Sequence, residues 1–142
     1  MAVRNASAAW DGSIKEGKGT MKLGSGVWEG PFSFSTRFED GKGTNPEELL
    51  GAALAGCFSM ALGGNLGRAG FTPKHIATDA KVHIEKVEGG FGVTRIELTT
   101  TAEVPGIDEA TFRQQVDATK AGCPISKALK AVEITVQPTL RG

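Results

Sequence analysis

The sequence predicts an α+β domain in which antiparallel sheets pack around a long, buried central helix. Several short stretches alternate polar and apolar residues, which is typical of strands with one buried face. An uncharged run from Leu49 to Gly67 is long enough for a helix of about five turns, and a second, amphipathic helix follows Asp108. No shift in composition divides the 142 residues. We therefore expect one domain over residues 1–142.

The N-terminal third predicts short strands joined by turns. Glycine-rich turn signals occur at Gly12 and at residues 24–26. Beyond them, Phe32, Phe34 and Phe38 alternate with polar residues in a period of two. This pattern predicts a strand with its phenylalanines on one face and Arg37 on the other.

The central helix has the clearest start signal in the chain. Asn45 is a favoured N-cap, Pro46 suits the first helical position, and Glu47 and Glu48 carry negative charge where the helix dipole favours it. Beyond this turn the helix is apolar or small on every side, which predicts that protein surrounds it. Large residues, including Cys57, share one stripe. The opposite face is small enough for another helix to approach closely.

The same uncharged stretch has nearly the length of a membrane span, but its composition favours a buried helix. Five of its residues are glycine, and no asymmetric Lys/Arg cluster flanks it. We expect no membrane partner.

The second half predicts a hairpin, two helices and a closing strand. Alternation marks strands over 76–84 and 91–104, and a Glu-Gly-Gly turn joins them. The expected helix after Asp108 buries Phe112 and Val116, and a shorter helix and a final strand follow over 125–130 and 132–140.

Composition excludes several classes of function. Sixteen basic and 16 acidic residues leave no net charge, so there is no basic footprint for nucleic acid. The first residues lack the apolar run of a signal peptide, which predicts a cytoplasmic protein with reduced thiols. Two cysteines cannot form a disulfide framework, and their spacing with His75 and His83 fits no metal pattern, so we expect no metal.

Four residues are candidates for chemistry, and each has an ordinary structural alternative. Cys57 is either a small buried hydrophobe or a nucleophile. Cys123 precedes Pro124 at a helix start, where it is either a loop cysteine or a stabilised thiolate. Arg37 is either a solvated charge or the cation that holds a thiolate, and the position of Glu47 is also explained by the helix dipole, which favours a carboxylate in the first turn. Local sequence does not decide between these readings.

The combination of motifs resembles the osmotically inducible protein C and organic hydroperoxide resistance (OsmC/Ohr) family, and its OsmC branch in particular. The resemblance covers nearly the whole chain and rests on residues 36–39 (TRFE), 43–53 (GTNPEELLGAA), 55–62 (AGCFSMAL), 105–108 (PGID) and 120–126 (KAGCPIS).

This resemblance implies a cysteine-based peroxidase that reduces organic hydroperoxides to alcohols without a cofactor. By residue, Cys57 is expected to be the peroxidatic nucleophile and Cys123 the resolving thiol. Arg37 is expected to activate the thiolate, with Glu47 orienting Arg37. A sulfenic acid on Cys57 then condenses with Cys123 to a disulfide, which an external dithiol, lipoyl-linked in the Ohr branch, reduces. The resemblance also implies the OsmC-like fold and an intertwined homodimer.

Helix geometry constrains how such a site is assembled. Glu47 and Cys57 lie ten residues apart on one helix, hence about 15 Å apart along its axis. Either the long side chain of Arg37 bridges this gap, or Arg37 and Glu47 of a second subunit complete the site, which is the arrangement we predict. Leu54 and Phe58 beside Cys57 are expected to bind the substrate and to favour bulky organic hydroperoxides over hydrogen peroxide.

Two other functions are compatible with parts of the sequence. One is a non-catalytic, ligand-binding or structural stress protein of the same fold, with Cys57 in the core. The other is a cysteine hydrolase, which is disfavoured because neither histidine lies in a recognisable partner motif. A disulfide cycle needs a second cysteine, whereas neither of these alternatives does.

Overall fold

A computed structural model describes residues 2–142 of the chain. The chain divides into two compact units, one ending at Leu49 and the other spanning Leu50–Gly142. The mixture of helices and sheets predicted from the sequence is confirmed. A single domain over residues 1–142 stays a prediction.

The first unit contains a three-stranded antiparallel sheet in the order β1-β2-β3. Its strands are β1 (Ala6–Asp11), β2 (Lys18–Leu23) and β3 (Glu29–Phe32). Gly19 on β2 faces Trp10 on one side and Phe32 on the other, and the two rings have centroids 5.6 Å apart. A Cβ at Gly19 would overlap both rings. Glycine is therefore required there by close approach.

A short helix, α1 (Phe34–Phe38), follows where the sequence pattern predicted a strand, so that prediction is wrong. Ser33 caps the helix: its hydroxyl accepts from the Thr36 N–H at 3.3 Å, and the Thr36 hydroxyl accepts from the Ser33 N–H at 2.9 Å. This reciprocal capping box stabilises the first turn. Arg37 consequently does not point away from the phenylalanines, since its guanidinium carbon lies 4.9 Å from the ring centroid of Phe38.

The long helix α2 (Pro46–Arg68) begins where the sequence predicted. The Asn45 side chain accepts a hydrogen bond from the Glu48 N–H at 2.7 Å, as expected of an N-cap. Only one stripe of α2 is buried: Leu54, Phe58, Leu62 and Leu66 are fully enclosed. The opposite face is exposed, so the prediction of a helix surrounded by protein is wrong for a single chain.

By length and composition α2 would be able to cross a membrane, with a mean hydropathy of 1.5 over its most apolar window. The core helix of a soluble protein passes the same test. The four enclosed side chains of α2 belong to the hydrophobic core of the second unit, which favours the reading as a core helix.

The second unit contains a mixed three-stranded sheet in the order β4-β5-β6. The sheet and the two helices on its connection are β4 (His75–Val87), β5 (Gly90–Glu103), α3 (Glu109–Gly122), α4 (Pro124–Ala128) and β6 (Glu133–Arg141). The antiparallel β4–β5 hairpin is confirmed. However, β6 pairs with β5 in parallel, so the prediction of purely antiparallel sheets is wrong. The connection through α3 and α4 is long enough to return the chain to the end of the sheet at which β5 begins, as a parallel pair of strands requires.

Helix α3 supports the region that carries Cys123. Asp108 caps it by accepting from the Thr111 N–H at 3.0 Å. Its buried side chains are Phe112 and Val116, as the sequence predicted, and Thr119. Together with the buried stripe of α2 and the inner face of β5, Phe112 and Val116 form one hydrophobic core that also includes Cys123.

Candidate active site

Two cysteines that are 66 residues apart in the sequence meet in the second unit. The sulfur of Cys57, on α2, lies 2.8 Å from the sulfur of Cys123, at the junction between α3 and α4. The Cys123 N–H donates to the Thr119 carbonyl at 2.9 Å, and its carbonyl accepts from the Lys127 N–H at 3.0 Å. These backbone bonds fix Cys123 between two helices. Both cysteines are free thiols.

The two thiols differ in exposure. Cys123 is only 1% exposed, whereas Cys57 is partly exposed. Of the two sulfurs, Cys57 is therefore the one that a reagent from solvent meets first, and Cys123 lies behind it.

The pKa values of the two thiols are shifted in opposite directions. Burial raises the pKa of Cys57, the hydrogen bond with Cys123 raises it further, and the Ile125 N–H opposes both effects. Burial also raises the pKa of Cys123, but hydrogen bonding to its thiolate form from Cys57, from the N–H and hydroxyl of Ser126 and from the Ile125 N–H outweighs burial and lowers that pKa. In the hydrogen bond between the two thiols, either sulfur can be the donor. These shifts favour Cys123 as the first of the pair to ionise, with the remaining proton on Cys57.

A cavity of about 530 Å³ opens beside the two sulfurs. Its wall is mostly apolar, and Arg68 is the charged residue in it. The wall is formed by Cys57, Met60, Ala61, Gly64, Asn65, Arg68, Ala118, Gly122, Cys123 and Pro124. A site of this size accommodates a small organic molecule.

Arg37 and Glu47 form an ion pair in the first unit. The Arg37 Nε donates to the Glu47 carboxylate at 3.0 Å, and Arg37 Nη2 makes a second, shorter contact with the same group. Glu47 is 6% exposed, so its carboxylate depends on this partner. A guanidinium has five N–H donors, and this pairing leaves some of them available for another anion.

Aromatic side chains surround Arg37. A recess of about 270 Å³ is lined by Trp10, Ile14, Phe32, Ser33, Phe34, Arg37 and Phe38. The Phe34 and Phe38 rings pack against each other with centroids 5.1 Å apart. The cation thus lies on an apolar surface, where electrostatic interactions are stronger than in water.

The predicted site residues have different outcomes in the structure. It pairs Arg37 with Glu47, and Cys57 with Cys123. Leu54 and Phe58 are fully enclosed in the core of the second unit and have no exposed surface with which to contact a substrate. This burial contradicts the expectation that they bind the substrate.

The cavity wall was not identified from the sequence, although its spacing was a signal. Ala61, Gly64, Asn65 and Arg68 follow Cys57 by four, seven, eight and eleven residues, which places them on one face of a helix. Of the two histidines, His83 has its Nε2 2.6 Å from a carboxylate oxygen of Glu97 on the neighbouring strand.

Comparisons with known proteins identify the family to which the chain is similar. The family model described as "OsmC-like protein" matches residues 39–137. Peroxiredoxin OsmC of Escherichia coli is 53% identical over 139 residues, covering 97% of this chain and 96% of the relative. An organic hydroperoxide resistance protein of Xanthomonas axonopodis pv. citri is 35% identical over 98 residues, covering 68% of this chain and 67% of the relative. The crystal structure of OhrB of Bacillus subtilis superposes with a TM-score of 0.70 at 25% identity, covering 96% of this chain and 98% of that one.

Proposed function

The chain belongs to the OsmC-like protein family, and from that premise we propose that it is a thiol peroxidase that reduces organic hydroperoxides. The names of its relatives, a peroxiredoxin and an organic hydroperoxide resistance protein, support a peroxidase-type role. The observation that carries the proposal is the 2.8 Å contact between Cys57 and Cys123. Two free thiols at this distance need only a small movement to form a disulfide.

In the proposed reaction, Cys57 is the nucleophile. Its thiolate attacks one peroxide oxygen, the O–O bond breaks, and the other oxygen leaves as an alcohol after taking up a proton. Cys57 becomes a sulfenic acid. The Cys123 thiolate then attacks the Cys57 sulfur and displaces hydroxide, which is protonated to water, so that a Cys57–Cys123 disulfide remains. An external dithiol returns both thiols and is itself oxidised to a disulfide.

Cys57 requires an activating group for this role. Within residues 50–142, burial and the neighbouring thiol raise its pKa, and only the Ile125 N–H opposes them. A guanidinium is suited to the task because a nearby positive charge favours the thiolate. We therefore assign Arg37 to hold the Cys57 thiolate and to polarise the peroxide, with Glu47 orienting its guanidinium.

We further propose that the site is assembled from two copies of the chain. Between the charged residues Glu48 and Arg68 near its two ends, the exposed residues of α2 are all small or apolar, namely Ala52, Ala53, Gly56, Met60, Gly64 and Gly67. Met60 on this face is 84% exposed, which is a large apolar exposure for a long helix. A second copy packed here would cover it and would bring an Arg37–Glu47 pair to each Cys57.

The substrate is proposed to be an organic hydroperoxide rather than hydrogen peroxide. The mostly apolar cavity beside the thiols would desolvate an alkyl or aryl group, which hydrogen peroxide lacks. Because Leu54 and Phe58 are enclosed, Met60, Ala61 and Pro124 take the role that the sequence assigned to those two residues.

A turnover assay tests the proposed activity. Purified protein with excess dithiothreitol is expected to consume cumene hydroperoxide catalytically. Cys57→Ser is expected to abolish turnover, and Cys123→Ser to prevent formation of the intramolecular disulfide. If the wild type does not consume the hydroperoxide above the rate of dithiothreitol alone, the non-catalytic, ligand-binding role becomes the better account.

A further inference from the structure

Ser126, three residues after the buried cysteine, has a hydroxyl that the fold leaves without a partner. The residue is 7% exposed, and among residues 2–142 its Oγ makes no well-formed hydrogen bond. A buried hydroxyl without a partner costs free energy, so its retention calls for a reason outside the stability of the reduced fold.

The position of Ser126 relative to Cys123 suggests that reason. Cys123 is the N-cap residue of α4, and Ser126 is the third residue of that helix. In a capping box, the N-cap side chain accepts from the N–H of this third residue, whose own side chain reaches back toward the cap. Neutral Cys123 makes no such cap bond here. A thiol is a weak acceptor, whereas a thiolate accepts hydrogen bonds strongly.

The exposure of the two thiols predicts when Cys123 becomes a thiolate. In the proposed cycle, an external dithiol reaches the disulfide at its more accessible sulfur, which is Cys57, because Cys123 is only 1% exposed. The electron pair of the S–S bond therefore passes to Cys123. Its thiolate forms in a buried place where water cannot solvate it, and protein donors have to stabilise it instead.

We propose that Ser126 donates its hydroxyl hydrogen to the sulfur of Cys123 whenever that sulfur is a thiolate, and so stabilises it both as attacking group and as leaving group. This inference rests on the proposed peroxidase cycle. In disulfide formation, Cys123 attacks the sulfenic acid of Cys57. In recycling, the dithiol thiolate attacks Cys57, the S–S bond breaks, and Cys123 leaves with the electron pair. The second thiol of the reductant then displaces Cys57 and closes the disulfide of the reductant.

The effect of Ser126 on the pKa of Cys123 agrees with this role. The hydroxyl and the N–H of Ser126 both lower its pKa, against the opposing effect of burial. The thiolate of Cys123 therefore has two donors from one residue, of which mutation removes only the hydroxyl.

The test compares Ser126→Ala with Ser126→Thr, which keeps the hydroxyl. In a Cys57→Ala background, Ser126 is the remaining side-chain donor to Cys123, and the thiolate absorbance followed against pH reports the pKa of Cys123. We expect Ser126→Ala to raise this pKa and Ser126→Thr to restore it. With Cys57 present, the disulfide is formed by diamide, and its reduction by dithiothreitol is expected to be roughly three- to tenfold slower in Ser126→Ala.

A matched control separates this role from a structural one. Ser59 is a hydroxyl residue on α2, two positions from Cys57, but its Oγ already has a partner in Thr78 at 2.7 Å. Ser59→Ala is expected to lower the melting temperature and leave the pKa of Cys123 unchanged. Ser126→Ala is expected to raise the pKa of Cys123 and to leave the melting temperature nearly unchanged, because the Ser126 hydroxyl makes no hydrogen bond in the reduced protein that the substitution would remove.

The proposal is overturned if Ser126→Ala leaves both the pKa of Cys123 and the reduction rate unchanged. It is also overturned if the slower reduction is accompanied by an equal loss of stability that Ser126→Thr does not restore. Neither measurement uses a peroxide. Failure of the peroxidase proposal would therefore appear separately, as a protein with the Ser126 effects and no hydroperoxide turnover.

Discussion

The sulfur of Cys57 lies 2.8 Å from the sulfur of Cys123, across 66 residues of sequence. A disulfide requires a separation of about 2.05 Å, so closing the bond needs a movement of less than about 1 Å. Backbone hydrogen bonds hold Cys123 in place between α3 and α4, so the fold itself keeps the two sulfurs close together. Resolution of a sulfenic acid on Cys57 would then require no large rearrangement.

Removing the guanidinium of Arg37 is expected to affect both activity and stability. In Arg37→Ala, loss of the cation should reduce the thiolate fraction of Cys57 and slow peroxide reduction at least about tenfold. The buried Glu47 also loses its partner, at about 1–3 kcal/mol after allowance for the partial exposure of Arg37. Steady-state kinetics and urea unfolding measure the two effects.

The double variant Arg37→Ala/Glu47→Gln is the control for this prediction. It removes the unpaired charge, so it should recover part of the stability and none of the activity. Recovery of activity together with stability would mean that the ion pair serves only the fold.

Enclosed and exposed apolar residues of α2 are expected to respond differently to mutation. Phe58→Ala should lower the free energy of unfolding by about 3–5 kcal/mol, because it leaves a cavity in the core. Met60→Gln leaves no cavity in the core of the chain, so it should lower the free energy of unfolding less than Phe58→Ala does, but it should lower kcat/KM for cumene hydroperoxide more than for hydrogen peroxide. Equal losses on both peroxides would argue against an apolar substrate site at this cavity.

The cap of α3 is expected to give the fold a dependence on acidic pH. Hydrogen bonds from the hydroxyl and N–H of Thr111 lower the pKa of Asp108 in the folded state. A carboxyl group with a lowered folded-state pKa contributes stability above its unfolded pKa, and that contribution is lost as pH falls through the folded value.

Asp108→Asn keeps an N-cap acceptor but removes this titration. Its melting temperature should therefore fall less than that of the wild type between neutral and acidic pH. If the melting temperatures of the two proteins fall equally over that pH range, the charge of Asp108 does not contribute to the stability of the fold. Because Cys123 directly follows α3 as its C-cap, fraying of the helix is also expected to loosen Cys123.

Mixed dimers test whether two copies share a site. Cys57→Ser supplies an intact Arg37–Glu47 pair, and Arg37→Ala supplies an intact thiol pair. If the pair of one copy serves the thiol of the other, equal mixing should give half heterodimers, each with one working site. Activity should then recover to about one quarter of the wild type. No recovery in crosslinked heterodimers would place Arg37 and Cys57 of the same copy in one site.

Local signals in the sequence predicted helix starts and the hairpin well. Asn45-Pro46 and Asp108 marked the starts of α2 and α3 because capping chemistry is local. The alternation over Phe32–Phe38 failed because so few residues fit a strand or a helix equally well, and the pairing of Ser33 with Thr36 decided for the helix.

Long-range features could not be predicted in this way. The parallel direction of β6 depends on where the α3–α4 crossover returns, and no local pattern encodes that. Because α2 is apolar or small on every side, its sequence fits a helix that one chain encloses completely. It fits equally well a helix with one enclosed face and one exposed face. For the same reason, Leu54 and Phe58 were assigned to the substrate when they belong to the core.

The central claim is that Cys57 and Cys123 form one redox couple, and intact mass tests it most directly. Reduced protein treated with one equivalent of cumene hydroperoxide is predicted to lose two hydrogen atoms. Cys57→Ser should not change mass, and Cys123→Ser should gain one oxygen atom. A wild-type protein that keeps its mass, or that gains oxygen as readily as Cys123→Ser does, would contradict the claim.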